Sequence, residues 1–268
     1  MLNTLKSSLK QSIKLIKKHK FIFLVLFATQ LLLMIISSTV FINFSISMGE
    51  DINAFLAPME NISMESEEEI LTSLEPMMEK YSHYQAIVKN MALFIVTMFA
   101  LYIVINSINW NLSNFVLNQK SFFFKYQLKF GILFLVFILP LVAVINFASG
   151  YIFSIEQIEI AIPIYLAVSL IFLYFMYISF ANINKIKNLK QIPDIVKQSF
   201  IIGIKNVKIL IPTLILTTGL PVLALYAISA QLEANFLLLL FLIAVFIVLI
   251  NWGRITLLIV IKNLEKVK

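Results

Sequence analysis

The chain is dominated by long apolar runs that are separated by short polar segments. Six of these runs are long enough to be transmembrane helices, because a helix needs about 20 mostly apolar residues to cross a bilayer. They are residues 21–47, 91–110, 130–148, 158–181, 209–230 and 236–252. The pattern predicts an all-α membrane protein with six spans, folded as a single polytopic membrane domain over residues 1–268.

The polar segments before the first and fifth runs have the apolar spacing of amphipathic helices. The first stripe consists of Leu2, Leu5, Leu9, Ile13 and Ile16, and the second of Val196, Phe200, Ile204 and Val207. Helices of this kind lie in the headgroup layer, with lysines extending towards the phosphates. The segment before the third run, with phenylalanines at 122–124, is less clearly amphipathic.

These segments suggest three pseudo-repeats, each made of one basic amphipathic helix and two spans. Ser12, Ser121 and Ser199 occupy matching places, at intervals of 109 and 78 residues. The difference of 31 residues nearly equals the excess length of the loop at 48–90 over the loop at 149–159. One insertion would therefore explain the unequal period. Chance resemblance between lysine-rich apolar segments is the alternative.

The insertion at 48–90 is acidic and has helical features. Ser66 and Glu69 form a capping box at a helix start. An apolar seam with coiled-coil spacing then leads into the second span, so we expect one long helix with a bend near Pro76. Packing within the chain is the simplest cover for this seam. A protein partner, or a homo-oligomer formed through this outer helix, is the alternative.

Composition supports a membrane protein and excludes several kinds of site. The chain is 60% hydrophobic and 13% charged, whereas soluble domains are about half apolar and a quarter charged. It has no cysteine, so disulfides, thiolate metal sites and cysteine nucleophiles are excluded. The first apolar run exceeds the length of a signal peptide core, so we expect it to be retained as a span.

Charge predicts the orientation. Four segments, 1–20, 111–129, 182–208 and 253–268, hold 19 of the 21 basic residues, and the other loops hold 12 of the 14 acidic residues. Because positively charged loops remain in the cytoplasm, both termini are predicted to be cytoplasmic, in a multi-pass protein of the plasma membrane.

The lysines beside the apolar runs favour anionic lipid headgroups, and not nucleic acid, as the partner. Simple anchoring by the positive-inside rule is the alternative to a specific headgroup site. The candidate headgroup-binding residues are Lys6, Lys10, Lys14, Lys17, Lys125, Lys129, Lys197, Lys205 and Lys208.

Residues typical of catalysis are missing from the predicted spans. Pumps and membrane enzymes usually carry ionisable residues within the bilayer, and the middles of all six runs have none. The two histidines, His19 and His83, are predicted on opposite sides of the membrane. We therefore expect no enzyme activity, no cofactor and no metal. A minor alternative is a copper(I) site at Met77 and Met78, since thioethers bind soft ions.

Neutral polar residues cluster instead near one end of the spans. Amide side chains can join helices by hydrogen bonds or line a polar vestibule, and joining is the commoner use. The vestibule candidates are Asn106, Asn109, Asn182, Asn251 and Arg254. The leading hypothesis is a non-enzymatic, lipid-associated membrane protein, and the alternative is a permease or channel subunit for a neutral or lipid-like substrate.

The layout resembles a known group of membrane domains. A basic amphipathic segment such as "SLKQSIKLIKKHKFIFLVLF" (residues 8–27), six spans and cytoplasmic termini are similar to the membrane domain attached to some glycerophosphoryl diester phosphodiesterases, and to related prokaryotic membrane proteins. The resemblance implies the six-span fold. It implies no hydrolase activity, because the hydrolase domain of those enzymes is absent. Mitochondrial carriers also have three two-span units, but their repeated motif is missing.

Overall fold

The structure, a computed structural model, describes residues 2–56, 74–117, 123–149, 155–230 and 236–266. Within these ranges the chain forms eight α-helices and two short 3₁₀ turns, without a strand. The helices are α1 (Leu2–Lys18), α2 (Lys20–Leu56), α3 (Leu74–Val116), α4 (Phe123–Ser149), α5 (Ile155–Asn182), α6 (Ile192–Lys205), α7 (Val207–Ser229) and α8 (Phe236–Lys266). The 3₁₀ turns are Ile183–Lys185 and Leu189–Gln191.

Six helices, α2, α3, α4, α5, α7 and α8, are long and apolar enough to cross a membrane, by length and composition. This confirms the predicted all-α membrane fold with six spans. Several helices outlast their apolar runs: α2 continues to Leu56 and α8 to Lys266. Helices end at residues that break backbone hydrogen bonding, so a change in hydropathy alone does not end them.

The long helix predicted to lead from the insertion into the second span is confirmed from Leu74 to Val116. No proline or glycine interrupts it after Pro76, which is consistent with its length. The predicted capping box at Ser66 and Glu69 lies outside the described residues.

The basic helices α1 and α6 are each separated from the following span by one residue. His19 stands between α1 and α2, and Asn206 between α6 and α7. In a straight helix, Ser12 and Leu26 would be about 21 Å apart along the axis. Both hydrogen-bond to adjacent residues of α8, Ser12 to Trp252 and Leu26 to Asn251. The chain therefore turns sharply at His19.

The middle basic segment differs from the expectation. No separate basic helix precedes the third span within the described residues, because Lys125 and Lys129 lie in the first turns of the continuous helix α4. His and Asn, which have modest helix propensity, occupy the two junctions at 19 and 206. No such residue separates Lys125 from Phe130, so the basic segment and the span form one helix.

The chain divides into two compact units, one formed by Met1–Leu31 and Ile103–Lys268 and the other by Leu32–Tyr102. The division falls within α2 and α3, and not at the ends of the predicted insertion at 48–90. In the smaller unit, the side chain of Asn90 donates a 2.8 Å hydrogen bond to Asp51 Oδ2. Beside it, the rings of Phe44 and Phe94 stack with their centroids 4.1 Å apart.

The core of the larger unit lies where the helices carry their lysines. This basic end comprises residues 5–30, 105–117, 124–130, 174–210 and 251–265. Here α7 and α8 approach closely, since a Cβ atom on Gly253 would lie 2.8 Å from the carbonyl oxygen of Thr217. The packing of these helix ends brings the polar residues of different spans together.

Candidate functional site

Five polar side chains from three helices form a hydrogen-bonded cluster at the basic end, the polar network. Gln30 lies on α2, Asn106 and Asn109 on α3, and Asn251 and Arg254 on α8, and all five are buried. The paired positions on α3 and on α8 are three residues apart, which places each pair on one helix face. Four of the five predicted vestibule residues therefore meet.

Arg254 links α8 to α3. Its Nη1 atom donates to Asn251 Oδ1 at 3.0 Å and its Nη2 atom to Asn106 Oδ1 at 3.1 Å. The centre of the guanidinium group lies 5.6 Å from the ring centroid of Trp110. A planar, weakly hydrated guanidinium suits such a site, because it can stack on an aromatic ring while it donates to two amides.

Asn109 and Asn251 link the network to α2. Asn109 Nδ2 donates to Gln30 Oε1 at 2.9 Å, and the Thr29 hydroxyl donates to Asn109 Oδ1. Asn251 Nδ2 donates to the carbonyl oxygen of Leu26 at 3.3 Å. Thr29 and Gln30 were missed by the sequence analysis, although Gln30 is an amide inside an otherwise apolar run.

The geometry of the network favours the joining of helices over a vestibule. The amides of Asn106, Asn109 and Asn251 bond to partners on neighbouring helices or to Arg254. Interhelical hydrogen bonds of this kind contribute about 0.6–2 kcal/mol each. The permease or channel function that a vestibule would serve stays a prediction.

Asn182, the fifth predicted vestibule residue, lies apart from the network. It is the last residue of α5 and is almost fully buried. Its Nδ2 atom donates to the carbonyl oxygen of Ile178 at 3.0 Å. Its Oδ1 atom has no hydrogen-bond partner among the described residues.

Helix α1 binds the rest of the larger unit through serines. Ser8 and Ser12, one turn apart, are fully buried. Trp252 Nε1 donates to Ser12 Oγ at 3.0 Å, and Asn263 Nδ2 donates to Ser8 Oγ at 3.2 Å. The predicted apolar stripe is a different face, on which Ile13 is exposed. The sequence analysis found that stripe but not the edge that contacts α8.

Helix α6 shows the same division. Its buried edge includes Ile195, Ser199 and Ile202. Gly203 fits closely against α5, since a Cβ atom there would lie 2.7 Å from a ring carbon of Phe175, and its carbonyl oxygen accepts a 2.8 Å hydrogen bond from the Tyr174 hydroxyl. The predicted apolar stripe is again outside the contact.

The exposure of the predicted headgroup lysines differs at one position. Lys129 is partly buried and donates to the carbonyl oxygen of Ile186, so its ammonium group is held by the protein. The other eight are exposed: Lys6, Lys10, Lys14, Lys17, Lys125, Lys197, Lys205 and Lys208.

The metal alternative cannot be placed on a described site. Met77 and Met78 belong to α3, but their side chains lie outside the described part of the structure. Among the described residues, no group of three or more His, Cys, Asp or Glu side chains could hold a metal ion.

Comparison with known proteins adds no family to this description. No protein-family model, no curated protein and no solved structure matches the chain. The resemblance of its layout to the phosphodiesterase-linked membrane domains therefore stays a prediction. Functional inference rests on the residues of the basic end.

Proposed function

We propose that this chain is a non-enzymatic integral membrane protein of the plasma membrane that binds anionic lipid headgroups through α1 and α6. The observation that carries the proposal is the presence of three distinct faces on α6. One edge packs on the protein, and a second is apolar and exposed, with Ile204 67% exposed. The third carries Lys197 and Lys205, which are also exposed.

An exposed apolar stripe beside lysines matches the boundary between headgroups and acyl chains. Phe200 and Ile204 would enter the acyl boundary, and the lysines would extend to the phosphates. Each lysine near an anionic surface contributes about 1 kcal/mol of attraction. The serine and glycine contacts to α8 and α5 hold both helices in place, so the lysines would present a fixed cationic surface.

The proposed orientation places the basic end and both termini in the cytoplasm. It is supported by charge, since 19 of the 21 basic residues lie in the four segments assigned to that side. The cytoplasmic leaflet is the one that carries anionic lipid. The same lysines would then set the topology and bind the lipid.

The test is lipid selectivity measured by electron paramagnetic resonance with spin-labelled phospholipids in reconstituted bilayers. Charge reversal at Lys197, Lys205 and Lys208 should lower the preference for anionic over zwitterionic lipid at least about fivefold, since three favourable charges are replaced by repulsive ones. Reversal at Lys10, Lys14 and Lys17 should act similarly.

The matched control is Lys89→Glu, which reverses an exposed lysine outside the basic end and should leave the preference unchanged. Unaltered selectivity in both triple variants, with six spans retained, would falsify the proposal.

A further inference from the structure

A cavity of about 320 Å³ lies at the basic end, where α3, α5 and α8 finish. Its lining includes Leu117, Asn182, Lys185, Leu258, Lys262 and Glu265. A second cavity of about 180 Å³ shares Leu117 and Lys262 with the first. The larger volume is near the lower limit for small-molecule sites, about 300 Å³. Its lining contains no residue of the polar network and none of the surface lysines discussed above.

The charges around the larger cavity leave one cation unmatched. Lys185 and Glu265 form an ion pair and neutralise each other. No described residue forms an ion pair with Lys262, which lies in the wall between the two cavities. The lining therefore has an excess positive charge at Lys262, which suits an anion.

The same cavity contains an unmatched acceptor. Asn182 Oδ1 is buried and has no hydrogen-bond partner among the described residues, while the amide nitrogen is occupied by the Ile178 carbonyl. A buried acceptor left without a donor costs about 1–3 kcal/mol. A ligand that presents a hydroxyl or an amine to Asn182 would remove that cost.

Helix geometry explains only part of this arrangement. Lysines are favourable near helix C-termini, where the backbone dipole is negative, and Lys185 and Lys262 both lie near such ends. The dipole does not explain a cavity between them, nor an amide oxygen inside it that lacks a donor. A ligand with both an anionic group and a hydrogen-bond donor matches both features.

We infer that this cavity binds a phosphodiester whose alcohol carries a hydroxyl or amino group. The phosphate would pair with Lys262, and the hydroxyl or amine would donate to Asn182 Oδ1. A phospholipid headgroup and a soluble glycerophosphodiester share this chemistry. The lipid source rests on the proposed function in one respect, namely that the basic end meets the headgroup layer.

Native mass spectrometry of the full chain from detergent micelles tests the inference with two lipids of equal charge. Phosphatidylglycerol has hydroxyls on its headgroup alcohol, and phosphatidylmethanol has none. The wild-type chain should bind phosphatidylglycerol about fivefold more tightly, which corresponds to one added hydrogen bond. Equal binding of the two lipids would overturn the inference.

Variants assign the two contacts. Asn182→Ala should abolish the preference between the two lipids while retaining both. Lys262→Ala should weaken both about tenfold, because a hydrogen bond to a charged group is lost, and Lys262→Arg should restore binding. Lys187→Ala, an exposed lysine outside the cavity, is the matched control. An unchanged preference in Asn182→Ala contradicts the assignment.

A third arm separates the two ligand sources and separates this site from the proposed function. Glycerophosphoglycerol, the soluble counterpart, should compete with phosphatidylglycerol if the cavity recognises the headgroup. Binding of the soluble compound alone would support the cavity chemistry and reject the lipid source. The triple lysine variants of α1 and α6 should keep the lipid preference measured here, so failure of the surface proposal and failure of the cavity are distinguishable.

Discussion

The two parts of α8 have similar aliphatic sequences but different surroundings. Residues 236–250 are largely exposed, and Phe241 has 63% of its surface uncovered. Residues 255–261 are buried at every position, and Leu257 is only 2% exposed. Hydropathy cannot distinguish these parts, because lipid chains are as apolar as leucine.

The difference shows where the larger unit is held together. In a bilayer, covering an aliphatic side chain with protein yields packing contacts and little transfer free energy. At the basic end, α1 and the ends of α3 and α5 supply packing, and the polar network adds hydrogen bonds between helices. We therefore expect the basic end to determine stability.

The largest effect should come from shortening a leucine on each part of α8. Leu257→Ala should lower the free energy of unfolding by about 2–4 kcal/mol, because a cavity forms in a packed region. Leu240→Ala, at a position that is 46% exposed, should change it by less than about 0.5 kcal/mol. Unfolding by SDS titration in mixed micelles measures both. Equal losses would remove the distinction between the two parts.

A second comparison concerns the close approach of α7 and α8. Gly253→Ala should destabilise by about 1–3 kcal/mol, because its new methyl group overlaps the Thr217 carbonyl oxygen and the helices must separate. Gly219→Ala is the control, since a Cβ atom there meets nothing within 4 Å. The same SDS titration applies, and a stable Gly253→Ala variant would show that this contact is loose.

A third comparison tests the polar network itself. Asn109→Leu should lower the free energy of unfolding by about 1–2 kcal/mol, because Gln30 loses its partner. Asn43→Leu, at an exposed position on α2, should have little effect. In a double-mutant cycle with Gln30→Leu, the two losses should be smaller together than their sum. Strict additivity would mean that the two amides do not interact.

The smallest effect is expected where α1 contacts α8. Ser12→Ala should cost about 0.5–1 kcal/mol, because Trp252 Nε1 loses its acceptor. With Trp110 replaced by phenylalanine, Trp252 is the remaining tryptophan of the two in the chain. Its fluorescence emission should then shift when Ser12 is replaced. No shift would indicate that the hydrogen bond is not made in solution.

Most of the site could be located from sequence, but not its connections. Asn106, Asn109, Asn251 and Arg254 were selected because they lie at comparable depth in the predicted spans, and they do meet. Gln30 was not selected, because single amides in apolar runs have no distinguishing pattern. Which helices are neighbours depends on packing between spans that are far apart in sequence.

The basic helices show the same limit. Period alone identified the apolar stripes of α1 and α6, yet the edges that contact the protein are marked by serine and glycine, such as Ser12 and Gly203. Small residues allow helices to approach closely, but they are also common on exposed faces. The continuous helix α4, with Lys125 in its first turn, was not predicted because charge and helix boundaries are independent.

The sequence by itself determined the class of protein, the six spans and the segregation of charge, because these follow from hydropathy and composition along the chain. Only the tertiary structure decided which part of each apolar helix is covered by protein, which amides pair, and that Asn182 and Lys262 line one cavity. These features depend on contacts between distant residues, and a uniformly apolar sequence in an apolar solvent leaves no periodic record of them.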